Sequence, residues 1–459
     1  MNQYDFIIIG GGAGGIEAAV RAGSRGRTVA LITDGELGGV WLNQGCIAVK
    51  SLVASQKMYR HALAGRKYGV RMKDVEATMA EWLERQLDVI FEIREDVEQR
   101  LKEARVTIIP GRAMLDGAHR VLVEQTEGRK IELQAQAIVI ASGSVPTPLP
   151  CYEKAPDGRV VGTSDHFVKL TCAPRNMLIV GGGYIGCEMG QIFHTIGTEV
   201  TIVESGPHLL PEMEPDAGTI LQDKLKAEGM KIHLNATVEG LEVPDESDEA
   251  IVRISSGEEL RADKVLVAVG RKANVKNLGL EKAGVTVDKG ITVNDFCQTN
   301  IPHIYAIGDC TGRVALAHSA VAQARIAVDH ALGSNRCMDW DNVPFCVYTV
   351  PEIAATGYTE EQAREKGMDP VVARCPLRHV GRPMSGGEPE GFVRLIADRK
   401  TTRITGGMIV GAHASEMISI LTTALKMQAT VADLQSTVLP HPSLGEAIIQ
   451  AAKELPAEP

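Results

Sequence analysis

A glycine motif that opens the chain and recurs in its middle constrains the fold more than any other feature. An apolar run at 5–10 ends in a Gly-x-Gly-x-x-Gly sequence, an alanine-rich stretch at 16–22 follows, and a second apolar run covers 28–32. The glycines of this first motif are Gly10, Gly12 and Gly15. Strand, glycine turn, helix and strand within about 30 residues predict a βαβ unit that binds a dinucleotide. The glycines let backbone N–H groups approach its pyrophosphate at the helix N-terminus.

The same pattern restarts after an apolar run at 176–180 and ends with a carboxylate at the position that binds ribose. Its glycines are Gly181, Gly183 and Gly186. The next apolar run, 199–203, is followed by Glu204. A carboxylate there accepts hydrogen bonds from the 2′-OH of NAD and repels the 2′-phosphate of NADP. The second copy is therefore predicted to be an NAD(H) domain.

The first copy has no carboxylate at the equivalent position. Thr33 stands there, and Asp34 and Glu36 follow it. Either carboxylate could reach the adenosine ribose after a small shift of the loop, and we predict that Asp34 does so.

The charge and the cysteines argue against several classes of function. The net charge is −10 without a basic block, which argues against nucleic acid as a partner. No apolar run approaches the roughly 20 residues that cross a bilayer, and the N-terminus enters a strand without the charged lead-in of a signal peptide. The nine cysteines follow no zinc spacing, so we predict no metal site and expect most of them to be buried in a reducing cytoplasm.

The stretches around the two copies predict how they are connected. Residues 73–106 contain neither glycine nor proline and carry apolar residues at helical spacing, which predicts a long amphipathic helix that packs within the subunit or between subunits. Buried strands are predicted to end at Gly143 and Gly270. Prolines at 146, 148 and 150 mark a crossing between domains.

A cysteine and a lysine lie in the glycine-containing segment 38–50, shortly after the first dinucleotide unit. They are Cys46 and Lys50. The segment resembles the active-site segment of the pyridine nucleotide–disulfide oxidoreductases, the flavoprotein family of lipoamide dehydrogenase, glutathione reductase and mercuric reductase. Members of that family carry a second cysteine at the position that is Trp41 here. The resemblance implies that the flavin-side thiol is present and the substrate-side thiol is absent.

The resemblance covers essentially the whole chain, from Tyr4 to about Ala452, and is closest to lipoamide dehydrogenase and mercuric reductase. A run ending in Gly308 and Asp309 resembles the family's second flavin motif, whose aspartate binds the ribitol of FAD. The family fold it implies is α/β, with two Rossmann-like dinucleotide-binding domains and a C-terminal α+β dimerisation domain.

The resemblance also implies domain boundaries, cofactors and assembly. The expected segments are 1–147 and 272–340 for FAD, 148–271 for NAD and 341–459 for dimerisation. The expected cofactors are FAD and NAD, and the expected assembly is a homodimer.

Matches to family positions give several residues expected roles. Cys46 matches the thiol that touches the flavin, and its place before the helical-looking stretch 47–54 predicts a pKa lowered by the helix N-terminus. Lys50 and Glu188 match an ion pair near the flavin. Tyr184 matches a residue that gates the nicotinamide pocket in some members.

A histidine and a glutamate near the C-terminus match the family's acid–base dyad. They are His441, which precedes a proline, and Glu446. Proline at the first helical position predicts a helix that begins just after His441. The resemblance implies that the histidine moves a proton at a sulfur atom in the other subunit's site, oriented by the glutamate.

Three functional hypotheses remain open at this point. The first is an FAD enzyme like lipoamide dehydrogenase, whose single thiol acts on a small or protein-bound sulfur substrate. The second is an NADH:acceptor oxidoreductase that passes electrons directly from the flavin to a quinone, oxygen, a metal or a protein. The third is a non-catalytic flavin-binding scaffold or sensor.

Overall fold

The computed structural model describes residues 2–125, 128–152, 154, 156–245 and 247–458. Two compact units divide the chain. Unit 1 comprises 1–181, 192–200 and 237–338, and unit 2 comprises 182–191, 201–236 and 339–459.

The strands and helices have the following bounds. The strands are β1 (Asn2–Ile9), β2 (Val29–Thr33), β3 (Thr107–Pro110), β4 (Arg112–Leu115), β5 (Arg120–Glu124), β6 (Lys130–Ile140), β7 (Ser144–Pro146), β8 (Val161–Gly162), β9 (Asn176–Val180), β10 (Glu199–Val203), β11 (Lys231–His233), β12 (Val238–Glu242), β13 (Ala250–Ile254), β14 (Glu259–Ala262), β15 (Lys264–Val267), β16 (Arg271–Ala273), β17 (Ile304–Ala306), β18 (Phe345–Val347), β19 (Glu352–Gly357), β20 (Pro370–Pro376), β21 (Phe392–Asp398) and β22 (Ile404–Gly411). The helices are α1 (Ala13–Ser24), α2 (Gly39–Asn43), α3 (Cys46–Leu63), α4 (Met79–Glu103), α5 (Ser164–Phe167), α6 (Tyr184–Thr195), α7 (Pro215–Ala227), α8 (Ala317–Ala331), α9 (Glu360–Glu365), α10 (Gly381–Gly386), α11 (Ala414–Lys426), α12 (Val431–Ser436) and α13 (Glu446–Lys453).

The largest sheet of unit 1 carries the first glycine motif at the end of its central strand. The strand order is β3-β2-β1-β6-β5-β4, with β17 on the far side of β6, and β1 pairs in parallel with both β2 and β6. A parallel strand with neighbours on both sides is buried on both faces, so the second half of β1, residues 6–9, is continuously apolar. Ile7 and Ile8 are fully buried accordingly.

Smaller sheets complete unit 1. Strands β9, β15 and β8 are parallel neighbours, and β12, β13 and β14 form an antiparallel meander. Strands β7 and β16 form a separate two-stranded antiparallel sheet. This pair joins the predicted domain crossing around Pro146 to the stretch that follows Gly270.

Helix α4 is shorter than the predicted stretch 73–106, because a capping box fixes its start. The Thr78 hydroxyl accepts a hydrogen bond from the Glu81 N–H, and the Glu81 carboxylate accepts one from the Thr78 N–H. Leu87 and Phe91, which belong to the predicted packing stripe, are 55% and 58% exposed. The stripe is therefore only partly buried within one chain.

Unit 2 contains an antiparallel sheet formed by strands within 345–411 and a parallel strand pair from the second glycine-motif region. The sheet order is β18-β19-β22-β21-β20, and β10 pairs in parallel with β11. Helices α11 and α13 cover the antiparallel sheet with a continuous apolar core. Parallel βαβ elements followed by an antiparallel sheet with helices match the predicted α/β class with a C-terminal α+β domain.

Candidate active site

The first glycine loop is shaped to hold a pyrophosphate. A Cβ added to Gly15 would lie 1.9 Å from the Gly10 carbonyl oxygen, so α1 packs directly on the turn. A Cβ on Gly12 would meet nothing within 4 Å. Gly12 also precedes α1, whose start has no side-chain cap and no acidic residue in its first turn. The open first-turn N–H groups fit the phosphates of FAD.

A short loop after β2 closes over this turn. The Gly38 N–H donates to the Gly11 carbonyl at 2.8 Å. Glu36 pairs with Arg94 at 2.6 Å, and the same Arg94 nitrogen donates to Asn43 Oδ1 at 2.6 Å. Asp34 is exposed and has no hydrogen-bond partner in the described part of the chain. Of the two candidate ribose carboxylates, Asp34 is the one that remains available.

Cys46 is the first residue of α3, so this helix starts earlier than the predicted stretch 47–54 and is longer. The preceding residue, Gly45, provides no side-chain cap, and the first turn contains no acidic residue. Cys46 is exposed, and Trp41 on α2 is partly exposed. A cysteine in an uncapped first turn lies where the helix dipole favours negative charge.

The cysteines are less buried than predicted. None of the nine forms a disulfide, and four of them are buried: Cys187, Cys297, Cys310 and Cys375. Burial raises the pKa of Cys297 to about 12 and that of Cys310 to about 11. These buried thiols therefore stay protonated at neutral pH, unlike the thiolate that nucleophilic chemistry needs.

Lys50 and Glu188 lie on different helices. Lys50 follows Cys46 by one turn of α3. Glu188 on α6 is 3% exposed, and its Oε1 accepts a hydrogen bond from the Tyr348 N–H at 2.8 Å. The ion pair between Lys50 and Glu188 stays a prediction.

Asp309 follows β17 in a short helical turn, and it is part of a network that the sequence did not reveal. Its Oδ2 accepts a hydrogen bond from the Ser144 hydroxyl at 2.6 Å. Arg271 donates to the same hydroxyl at 3.0 Å. The Gly308 N–H next to it donates to the fully buried Gln323 side chain at 2.8 Å. Neither Ser144 nor Arg271 was predicted from the sequence, although each directly follows a glycine at which a buried strand was predicted to end.

Gly143 and Gly270, those two strand-end glycines, resemble each other in geometry. Both have positive φ, at +71° and +106°, and a Cβ on either would meet nothing within 4 Å. Open backbone at a strand end is where a ligand can approach closely.

The second glycine loop is closed by its own carboxylate. Glu204 is 5% exposed, and its two oxygens accept hydrogen bonds from the N–H groups of Gly182 and Gly206, each at 2.6 Å. Gly181 has the same left-handed conformation as Gly10, with φ of +107° and +115°. The predicted ribose carboxylate therefore lies directly against the loop.

Two further residues stand at this loop. A Cβ on Gly183 would lie 3.5 Å from the carboxylate of Glu212, which places that exposed side chain over the glycine. Tyr184, the first residue of α6, meets Phe345 edge to face with ring centroids 5.7 Å apart. Gly186, the last glycine of the motif, lies in the first turn of the same helix.

His441 and Glu446 form the hydrogen-bonded pair that the resemblance implies. His441 Nδ1 lies 2.8 Å from Glu446 Oε1, and the Ser443 N–H donates to Glu446 Oε2 at 2.8 Å. The hydrogen bond from His441, followed by that from Ser443, holds the pKa of Glu446 below its usual value. A carboxylate only accepts hydrogen bonds, so Nδ1 carries the proton and Nε2 is left for other partners. The imidazole is 79% exposed.

The predicted start of the last helix is wrong. Helix α13 begins at Glu446, and 441–445 form a loop before it. The reason is that the Glu446 carboxylate accepts hydrogen bonds from His441 Nδ1 and from the Ser443 N–H. These two bonds hold 441–445 as a loop and outweigh a helix that begins at Pro442.

Neither a membrane span nor a metal centre is found in the described ranges. No helix there is long and apolar enough to cross a bilayer. No cluster of three or more histidine, cysteine or acidic side chains in those same ranges could hold a metal ion.

Sequence relatives extend over almost the entire chain. Residues 4–324 match the family model of the pyridine nucleotide-disulphide oxidoreductases, and residues 343–452 match the dimerisation domain of that family. The dihydrolipoyl dehydrogenase of Thermus scotoductus is 36% identical over 465 residues, which cover 99% of this chain and 98% of the relative. A dihydrolipoyl dehydrogenase of Bacillus subtilis is 34% identical over 463 residues, covering 98% and 97%.

Solved structures also match over nearly the whole chain. LpdA from Mycobacterium tuberculosis superposes with a TM-score of 0.91 at 28% identity, covering 100% of both chains. RclA, the HOCl-induced flavoprotein disulfide reductase of Escherichia coli, solved as a Cu(II) complex, gives 0.87 at 29% identity, covering 99% of this chain and 100% of RclA. These matches confirm the predicted fold class and cofactors and argue against a non-catalytic scaffold. The chain belongs to the pyridine nucleotide-disulphide oxidoreductase family and is an FAD-dependent NAD(H) oxidoreductase.

Proposed function

We propose that this oxidoreductase uses NADH to act on a sulfur-containing substrate of the thiol or disulfide type, with Cys46 as its single reacting thiol. The observation that carries the proposal is the hydrogen bond between His441 and Glu446. A pair that moves protons serves sulfur chemistry, whereas direct electron transfer from a flavin does not require one. The dihydrolipoyl dehydrogenases among the relatives support the same substrate class.

The cofactor sites are assigned from the two loops. For FAD the assigned residues are Gly10, Gly12, Gly15, Asp34, Gly143, Gly308 and Asp309; for NAD(H) they are Gly181, Gly183, Tyr184, Gly186, Glu204 and Gly270. When bound, FAD supplies two-electron transfer between NADH and the acceptor. The domain segments 1–147, 148–271, 272–340 and 341–459 form part of the same proposal.

Cys46 and the dyad divide the work on a disulfide substrate. The Cys46 thiolate attacks one substrate sulfur, the substrate S–S bond breaks, and the second sulfur leaves as a thiolate. His441 Nε2 takes up the proton that leaves the Cys46 thiol and gives it to that leaving thiolate, and Glu446 holds the imidazole in the required orientation through Nδ1. Two electrons from NADH then reduce the mixed disulfide, which releases the first sulfur and restores Cys46.

A homodimer completes the site in this proposal. The match to the family's dimerisation domain supports such an assembly. The exposure of His441, 79%, is consistent with a side chain that serves the Cys46 site of the other subunit. Lys50 and Glu188 are assigned as an ion pair near the flavin.

Trp41 makes this enzyme different from a two-cysteine relative. We infer that it occupies the position of the substrate-side thiol, so Cys46 cannot form a disulfide with that position. Lipoamide should therefore be reduced poorly by NADH, and substrates that accept a mixed disulfide should be preferred.

The test is anaerobic reduction by NADH, followed by reoxidation with disulfides, persulfides, quinones and metal ions, in the wild type and in Cys46→Ser. We expect disulfide or persulfide turnover to depend on Cys46. The wild-type flavin spectrum should also contain a long-wavelength thiolate band that the variant lacks. Cys172→Ser, which removes another exposed cysteine, is the matched control.

A second candidate function is direct transfer from the flavin to a quinone, oxygen, metal or protein acceptor. The specific observation that favours it is Trp41 at the place of the second thiol, together with nine cysteines of which none forms a disulfide. If Cys46→Ser retains the turnover of the best acceptor, this candidate replaces the first.

A further inference from the structure

Arg271 makes three hydrogen bonds, and a fourth, from Ser144, connects them to Asp309. Its Nε donates to the Ser144 hydroxyl and one terminal nitrogen to the Ser144 carbonyl, each at 3.0 Å. The other terminal nitrogen donates to Asp165 at 3.0 Å. The Ser144 hydroxyl in turn contacts Asp309 Oδ2 at 2.6 Å. The Arg271 and Asp165 side chains are only 11% and 19% exposed, so the network is shielded from solvent.

The chemistry of these groups fixes the direction of every hydrogen bond. A guanidinium only donates, so the Ser144 oxygen must accept from Arg271. Its single proton is then free to point only at the remaining acceptor, which is Asp309 Oδ2. Asp309 Oδ1 accepts no hydrogen bond from the described residues, and Asp309 as a residue is partly exposed. The network therefore holds one carboxylate oxygen and leaves the other for a ligand.

We propose that Arg271 is a positioning residue for the flavin. It locks the Ser144 hydroxyl and through it the orientation of Asp309, so that Oδ1 faces a ribitol hydroxyl of FAD. This inference rests on the proposed assignment of Asp309 to the flavin site. It adds to that assignment two residues, Arg271 and Asp165, that lie in the segment predicted to bind NAD.

The backbone around Arg271 supports the same role. Arg271 is the first residue of β16, which pairs with β7, and Ser144 is the first residue of β7. The connector that passes between the two predicted cofactor segments thus carries both ends of the hydrogen-bond network. A change at Asp165 can reach the flavin site through one guanidinium and one hydroxyl.

The geometry requires arginine in particular. Three acceptors at different places are served by the separate nitrogens of one planar fork. Lysine is a single point donor and cannot reach all three, so Arg271→Lys should behave almost like Arg271→Met. A structural role based on charge alone would instead be rescued by lysine.

The test is FAD affinity measured by flavin fluorescence on the apoprotein, together with the midpoint potential of the bound flavin. Loss of a charge-assisted hydrogen bond corresponds to about 10- to 100-fold weaker binding. We expect this loss for Arg271→Met, Arg271→Lys and Asp309→Asn, with a shifted potential. Arg175→Met, which breaks an ion pair with Asp263 on an exposed arginine, is the matched control and should change neither quantity.

Double variants decide between positioning and general stability. Because Arg271 acts through Asp309, Arg271→Met should cost little once Asp309→Asn is present. Additive losses would overturn the proposal. Normal FAD affinity in Asp309→Asn would overturn the flavin assignment itself, and with it this inference. If Arg271→Met does not fold, the same cycle is run with Ser144→Ala and Asp309→Asn. Non-additive losses would then support the positioning of Asp309 through Ser144, and additive losses would overturn it.

Discussion

The two glycine loops of this chain share a backbone frame and differ in the residue that closes it. In the first loop, a Cβ on Gly11 would lie 2.9 Å from the Thr33 hydroxyl. In the second, a Cβ on Gly182 would lie 3.1 Å from a Glu204 carboxylate oxygen. Thr33 and Glu204 therefore occupy equivalent places, one neutral and one negatively charged.

The difference between Thr33 and Glu204 separates two tasks of a dinucleotide-binding motif, which are to hold the pyrophosphate and to recognise the sugar. The Thr33 hydroxyl donates to the Gly35 carbonyl at 3.0 Å, and carboxylates appear only later in that loop. Glu204 accepts from the N–H groups of Gly182 and Gly206, within the loop itself. In the proposed assignment, the glycines provide the approach to a pyrophosphate in both loops, whereas the residue at the strand end decides how the sugar is recognised.

The largest effect is expected from Gly15→Ala, which breaks the frame of the first loop. The new Cβ would lie 1.9 Å from a backbone carbonyl that cannot move without shifting α1. We expect the purified variant to carry less than about a tenth of the wild-type flavin. The measurement is flavin absorbance per chain. Gly35→Ala, where a Cβ meets nothing within 4 Å, should keep its flavin; full flavin in Gly15→Ala would contradict the close packing.

The next largest effect is expected from Glu204→Gln, which makes the second loop as neutral as the first. Without the charge, the 2′-phosphate of NADPH is no longer repelled. The preference for NADH over NADPH, measured as the ratio of kcat/KM values, should fall by about 30-fold, equivalent to about 2 kcal/mol. Glu199→Gln at the exposed start of β10 is the control. An unchanged ratio would mean that another group rejects the phosphate.

A smaller effect should separate the two candidate carboxylates of the first loop. Asp34 has no partner in the described part of the chain, whereas Glu36 is already paired with Arg94 at 2.6 Å. Asp34→Asn should weaken FAD binding about tenfold, and Glu36→Gln should change it less than about twofold. Flavin titration of the two apoproteins is the measurement, and the opposite order would assign the ribose to Glu36.

The smallest effect is expected from Glu212→Gln. This exposed carboxylate lies over Gly183, where it opposes the negative pyrophosphate. The KM for NADH should fall about two- to threefold at low salt, and the difference should vanish at about 0.5 M salt because exposed charges are screened. A difference that persists at high salt would point to a steric effect instead.

The sequence predicted what is encoded over short spans of the chain. Gly10 and Gly181 precede helices at fixed spacing, and the position of Glu204 follows from strand length, so both loops were found. The network of Ser144, Arg271 and Asp309 could not be predicted, because its members are far apart in sequence and meet only after the sheets form.

The errors of the sequence prediction have a common cause. The last helix starts at Glu446 because that side chain binds the loop before it, which outweighs the local preference of proline for a helix start. The long amphipathic stretch predicted packing within the subunit or between subunits, and only the structure shows that Leu87 and Phe91 are exposed in one chain. The exposure of cysteines likewise depends on tertiary packing, which no spacing rule records.

The carboxylate of Glu204, which the first loop lacks, should also make the two loops differ in how fast their amide protons exchange with water. The amides of Gly182 and Gly206 donate to this side chain. The first turn of α1 has no such side-chain acceptor. Hydrogen exchange should therefore be slow at the second loop from the start, and slow at the first loop only after FAD binds. A loop that is ordered in advance lets NAD(H) arrive and leave at every turnover without rearranging the backbone.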